Sequence, residues 1–133
     1  MNFTHGDYTV AWICALSLEL ETAKSVLDKV HLPLPPAKSD DNNYTLGEIG
    51  NHNVAVACLR SGIYGKVSAS MVVSQMRSTF PNIRFGLMVG IGGGVPSTGS
   101  DIRLGDVVIS KPTGRSGGVI QYDFGKTHRD GES

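Results

Sequence analysis

Two features of this sequence carry residue types that could do chemistry, Glu19 and the run Gly90-Ile91-Gly92-Gly93-Gly94. Glu19 follows a nearly uncharged apolar segment and opens a helical pattern. A carboxylate in a partly dry pocket can have its pKa raised toward neutrality and serve as a general base. In the first turn of a helix the same residue serves the dipole, contributing about 0.3–1 kcal/mol. The glycines follow Phe85-Gly86-Leu87-Met88-Val89, which reads as a buried strand. A nearly bare backbone can turn sharply and offer its N–H groups to another molecule. Tight strand–loop packing without a ligand accounts for such glycines equally well.

Two phosphate-binding patterns fail. Gly125-Lys126-Thr127 has Ile120 where the Walker A loop needs glycine, and Gly65-Lys66 is followed by Val67. The dinucleotide pattern fails because Gly92 is followed by Gly93-Gly94-Val95. His5, His31, His52 and His128 are scattered, so no metal site is expected. Asp101 and Asp106 flank Leu104-Gly105 and read as turn formers. Cys14 and Cys58 sit in apolar segments outside any CxxC pair and read as core thiols in a reducing compartment. No nucleophile elbow is present.

The elements that must position these residues alternate between strand and helix. Tyr8–Ala15 is β-branched, aromatic and almost uncharged, which predicts a strand buried on both faces. Leu16, Leu20, Ala23, Leu27 and Val30 form one helical stripe, with Ser17 as its N-cap and Pro33 beyond its end. A polar loop, 37–43, leads to Tyr44–Ile49, a turn at Gly50-Asn51-His52-Asn53, and Val54–Leu59, which predicts a hairpin. Arg60–Lys66 is a second glycine-bearing junction, before a helix from Val67 to Phe80 with Val67, Met71, Ser74 and Ser78 along one stripe and Val72, Val73 and Met76 beside it. Pro81 ends it, and further strands are expected at Val107–Ser110 and Val119–Phe124. The alternation argues for an α/β fold with a mostly parallel sheet. Ligands bind such sheets at the carboxyl ends of the strands, where loops 16–19, 61–66 and 90–96 converge.

The chain has 133 residues, which predicts one domain over 1–133, with 1–7 and 125–133 loosely ordered. It is 40% apolar and 18% charged, as in ordinary globular domains. Twelve basic residues balance twelve acidic ones, which gives no electrostatic reason to expect a nucleic-acid or acidic-membrane partner. Zero net charge leaves association with itself or a partner open. No signal peptide or membrane-spanning run is read, and a cytoplasmic location is expected.

Four motifs, in order, resemble the purine/uridine phosphorylase superfamily, which includes the methylthioadenosine/S-adenosylhomocysteine nucleosidases. They are Cys14-Ala15-Leu16-Ser17-Leu18-Glu19, Arg60-Ser61-Gly62-Ile63-Tyr64-Gly65-Lys66-Val67, Val89–Pro96 and Asp101–Val108. The wording is most similar to the fungal branch, in which the domain precedes ankyrin, tetratricopeptide or NTPase modules of large receptor-like proteins. The resemblance implies a three-layer α/β/α fold and cleavage of the N-glycosidic bond of a purine nucleoside or nucleotide, with no cofactor. It gives Glu19 the role of activating water. It puts Leu16 on the ribose side, Ile63 near the 5′ substituent, and Ile91, Gly92 and Gly93 along the floor under purine and ribose. It also implies a homo-oligomer or a part of a larger multidomain chain.

The sequence departs from that pattern in three places. Ile91 stands where the nucleosidases carry a small hydroxylated residue. The phosphate-binding arginines of the phosphorylases are replaced by apolar residues, Leu16-Ser17-Leu18 and Met88, which would not compensate a desolvated phosphate. Hydrolysis is therefore expected over phosphorolysis. The family's second half, with the aspartate that protonates the leaving purine, has no counterpart after residue 124, so the chain reads as the N-terminal half of such a domain, incomplete at its C-terminus. Loss of that acid alone would cost about 10²–10⁴-fold in rate. The alternative function is a non-catalytic nucleotide-sensing or scaffold module of a larger receptor-like protein, or an inactive fragment.

Overall fold

Strand β1, Val10–Cys14, is the centre of the parallel part of the sheet, paired with β4 (His52–Cys58) on one side and β5 (Phe85–Met88) on the other. The structure, a computed structural model, describes residues 2–59, 66–115 and 117. They fall in two units, Met1–Gly92 and Gly93–Ser133. The first unit holds a five-stranded sheet of order β2-β3-β4-β1-β5, in which β2 is Lys29–Val30 and β3 is Tyr44–Ile49. The expected hairpin is β3–β4, turned at Gly50, whose positive φ of 58° suits glycine. The fold is α/β with a mixed sheet. Its pairings are evenly divided, parallel at β4–β1–β5 and antiparallel at β2–β3–β4, rather than mostly parallel, because the hairpin and β2 build an antiparallel flank.

The two-residue period of the strands sorts the core onto two faces. Cys14, Val54 and Val56 are buried with Ala23 of α1 (Ser17–Val26) and with Leu27. Ala11, Ile13, Ala55 and Ala57 are buried with Val72 and Met76 of α2 (Lys66–Thr79). Phe80 fills the centre of that layer, edge-on to Tyr8 and Tyr44 at ring separations of 5.4 and 5.0 Å. Among the described side chains the buried stripe of α2 is Val72, Met76 and Thr79, of which the sequence pattern sets Val72 and Met76 beside its main stripe; Met71, which it places on that stripe, is exposed.

Other expectations are revised. The first helix stops at Val26 rather than near Val30, because Asp28 and His31 donate their N–H groups to Glu48 O (2.8 Å) and Leu46 O (2.7 Å) of β3. Its N-cap is Leu16, not Ser17. Among the described residues strand β5 is an exposed edge, not a buried strand, since β1 pairs with it on one side and no further described strand follows it in the sheet. Near the start of the chain His5–Asp7 form a 3-10 turn, with Asn82 donating to Gly6 O at 2.8 Å. In loop 37–43, Asp40 is buried, accepting from Thr79 Oγ1 at 2.5 Å, from Asn42 N at 2.8 Å and from the Tyr44 hydroxyl.

In the second unit Arg103 N donates to Asp106 Oδ2 at 2.9 Å across a turn that closes on Gly105, at φ 92°. Asp101 instead pairs with the Arg103 guanidinium at 2.8 Å on the surface. Residues 107–110 form no strand, and the side chains of Val107, Val108 and Ile109 are exposed. The strand expected at Val119–Phe124 lies outside the described residues. No helix among the described residues is long and apolar enough to cross a membrane.

Candidate functional site

Because β1, β4 and β5 are parallel, their carboxyl ends at Cys14, Cys58 and Met88 share one edge of the sheet. Glu19 stands on that edge, in the first turn of α1. Its side chain is turned back rather than outward and is only 8% exposed. Oε2 accepts from Ala15 N at 2.8 Å and Leu16 N at 3.0 Å, and Oε1 accepts from Ile91 N at 3.0 Å. The Leu16 bond is half of a capping box, and the Ala15 bond extends it to the residue before the cap. Leu16 has no side-chain oxygen to supply the other half, so the side-chain cap comes from Glu19. The third reaches across 72 positions of sequence to the residue after Gly90.

This geometry fixes the charge. The Ile91 N–H, followed by those of Ala15 and Leu16, holds the Glu19 carboxyl below the ordinary glutamate range against the opposing effect of burial. Glu19 is thus an ionised acceptor around neutral pH, and a weaker base than a free carboxylate.

Gly90 explains itself in the same contact. A Cβ built there would lie 2.8 Å from Glu19 Oε1 and 3.2 Å from its carboxyl carbon. The carboxylate is pinned by three backbone donors and has little room to yield. Gly90→Ala is expected to cost about 1–2 kcal/mol, read by urea unfolding of the folded variant, with the Ile91 amide losing its protection from hydrogen exchange. The sequence signal for Gly90 was its place at the strand end, but only the carboxylate against it gives the reason.

The other residues singled out from sequence are placed as follows. Leu16 is 53% and Ile91 71% exposed, both beside Glu19 at the strand ends. Gly92 closes the first unit, and a Cβ there would meet nothing within 4 Å. Gly93 belongs to the second unit and is equally open. Ile63, with most of its motif, lies outside the described residues. Two clefts, of about 280 Å³ beside Met76 and Gly86 and about 440 Å³ beside Phe3 and His31, do not include Glu19. Among the described residues no group of three or more His, Cys, Asp or Glu side chains is placed to hold a metal ion. The arrangement presents one fixed negative charge at the strand ends, beside the exposed apolar side chains of Leu16 and Ile91.

A protein of the fungus Hyaloscypha variabilis, described as a nucleotide-binding leucine-rich repeat (NLR)-like protein, is 53% identical to this chain over 126 residues. The match takes in 94% of this chain and 12% of that protein, so the chain spans about an eighth of its relative's length. No family model matches the chain, and no solved structure matches it.

Proposed function

We propose that this chain is a nucleoside phosphorylase-like module of a larger NLR-like protein, and that it binds a purine nucleoside or nucleotide at the carboxyl ends of β1, β4 and β5 without cleaving it. The observation that carries this reading is the bonding of Glu19. A general base works best with a pKa near the operating pH, and three backbone donors drive this carboxylate the other way. What the carboxylate does supply is order, since it fixes the Ile91 and Leu16 backbone on which a ligand would rest. The similarity to an NLR-like protein of much greater length supports the same reading. Under it the module works in the cytoplasm, as part of a multidomain chain or an oligomer.

A second reading has one observation in its favour. Glu19 Oε1 accepts a single bond, leaving a lone pair at the open strand end where water could stand. The module would then be a nucleosidase, hydrolysing rather than phosphorolysing the N-glycosidic bond.

Calorimetric titration with adenosine, methylthioadenosine and ATP, paired with a chromatographic assay for free base with and without phosphate, separates the two. Binding with no base released supports the sensor. Phosphate-independent release, abolished in a folded Glu19→Gln variant, supports the nucleosidase. Absence of binding by all three ligands removes both. Gly92→Ala is the sharper probe of the floor. Its Cβ meets no protein atom, so stability is expected to stay within about 0.5 kcal/mol. A methyl group under the ligand is expected to weaken nucleoside binding by ~10-fold or more. Unchanged affinity would take the glycine loop out of the site.

A further inference from the structure

Cys14 and Cys58 are directly opposite one another. They are register partners on the parallel strands β1 and β4, and each is the last residue of its strand. The two-residue period puts both on the α1 face, with Trp12, Val54 and Val56. Both are free thiols; Cys14 is fully buried, while Cys58 is partly exposed. Neighbouring strands run about 4.7–4.9 Å apart, inside the roughly 4.4–6.8 Å Cα separation that a disulfide spans. Both residues end their strands, and Leu59 N donates to Cys14 O at 2.8 Å just beyond them.

We propose that Cys14 and Cys58 are a paired redox site that closes to a reversible disulfide when hydrogen peroxide reaches Cys58. Cys58 is the sulfur a peroxide meets. Its thiolate attacks the O–O bond, which breaks to leave Cys58 sulfenic acid and hydroxide; the hydroxide takes up the thiol proton as water. Cys14 then attacks the sulfenic sulfur. The S–S bond forms, the S–O bond breaks, and the Cys14 proton leaves with the hydroxyl as a second water. Two thiols are oxidised by one electron each, and one peroxide is reduced to two waters. Burial, then the adjacent Cys58 and the charge of Glu19, pushes the Cys14 thiol up to about 12, which keeps it protonated and divides the labour between the two sulfurs. The bridge would clamp the end of β1 one residue before Ala15, whose N–H holds Glu19.

The test is mass spectrometry of the whole chain, denatured and alkylated after exposure to hydrogen peroxide. Wild type is expected to lose both alkylatable thiols and about two mass units (two hydrogens), to yield a Cys14–Cys58 cross-linked peptide, and to regain both thiols with dithiothreitol. Cys58→Ser is expected to show no such loss, and its partly exposed position makes it the safer variant to fold. Cys14→Ser is expected to leave a sulfenic acid on Cys58 that dimedone captures. Retention of both thiols in wild type, oxidation of Cys58 to sulfinic acid with Cys14 still free, or a bridge formed only between two chains would each overturn the proposal. The wild-type thiol count decides it without either variant, and without any nucleoside present.

Discussion

Glu19→Ala is expected to lose about 3 kcal/mol of folding stability, more than any exposed carboxylate of this chain would cost. Hydrogen bonds to a charged group contribute about 1.5–3 kcal/mol each, and three end on this side chain. They are not additive. Leu16 and Ile91 are more than half exposed, so water reaches part of what alanine uncovers. Glu19→Gln is expected to lose about half as much. Its amide oxygen can still accept from Ala15 and Leu16, but its NH₂ then faces the Ile91 N–H, donor against donor. Urea unfolding followed by the fluorescence of Trp12, the single tryptophan, measures both. The pH dependence has a definite sign. A carboxyl held lower in the folded state than in the unfolded chain stabilises the fold above the unfolded value of about 4.3. That contribution is lost as the pH falls through the lower, folded value. The stability gap between wild type and Glu19→Ala is therefore expected to narrow on acidification below the ordinary glutamate range and to be flat above it. A gap independent of pH would mean that the carboxylate charge is not what the three donors hold. The experiment also guards the functional assay, because loss of base release in Glu19→Gln means catalysis only where the variant is shown to be folded.

The two helices, β1, the β3–β4 hairpin and β5 follow from local patterns in the sequence, and the departures have a common cause. Leu27 and Val30 continue the helical stripe of Leu16, Leu20 and Ala23, but the backbone there bonds to Leu46 and Glu48, a pairing no local pattern can express. The apolar run 85–89 was legible as a strand; whether it is buried depends on what lies beyond β5, which periodicity does not encode. Asp40 reads as one more polar loop residue until Thr79, 39 positions on, donates to it. The candidate site divides in the same way. That Glu19 faces the strand ends follows from its position just after β1. That it is tied to Ile91, and therefore ionised and stiff, follows only from the parallel pairing of β1 with β5. Cys14 and Cys58 looked like unrelated core thiols because register, not spacing, makes them neighbours.

Gly47→Ala is expected to be the most damaging change that touches no polar side chain, at about 3 kcal/mol. Gly47 lies in β3, paired with Val30 of β2 on one side and Val54 of β4 on the other. Its φ is not positive, so backbone conformation is not the reason for glycine here. The reason is space. A Cβ would stand 2.5 Å from the Lys29 carbonyl oxygen and 2.7 Å from Leu27 Cδ1. The first is backbone held in the β2–β3 pairing, and the second is a buried side chain in the core under α1. Neither can move without giving up its own contacts. The least costly relief is for β2 to lift away, carrying Leu27 from the core and loosening the end of α1. The Asp28 and His31 amides, which donate to Glu48 and Leu46, are then expected to exchange with solvent far faster than in the wild type. Gly50→Ala supplies the contrast. There the φ of 58° makes alanine strained while nothing lies within 4 Å, so a loss of about 1–2 kcal/mol without exposure of the β2 amides is expected. A Gly47→Ala protein as stable as the wild type, with both amides still protected, would show that β2 does not pack as tightly on Gly47 as this geometry requires.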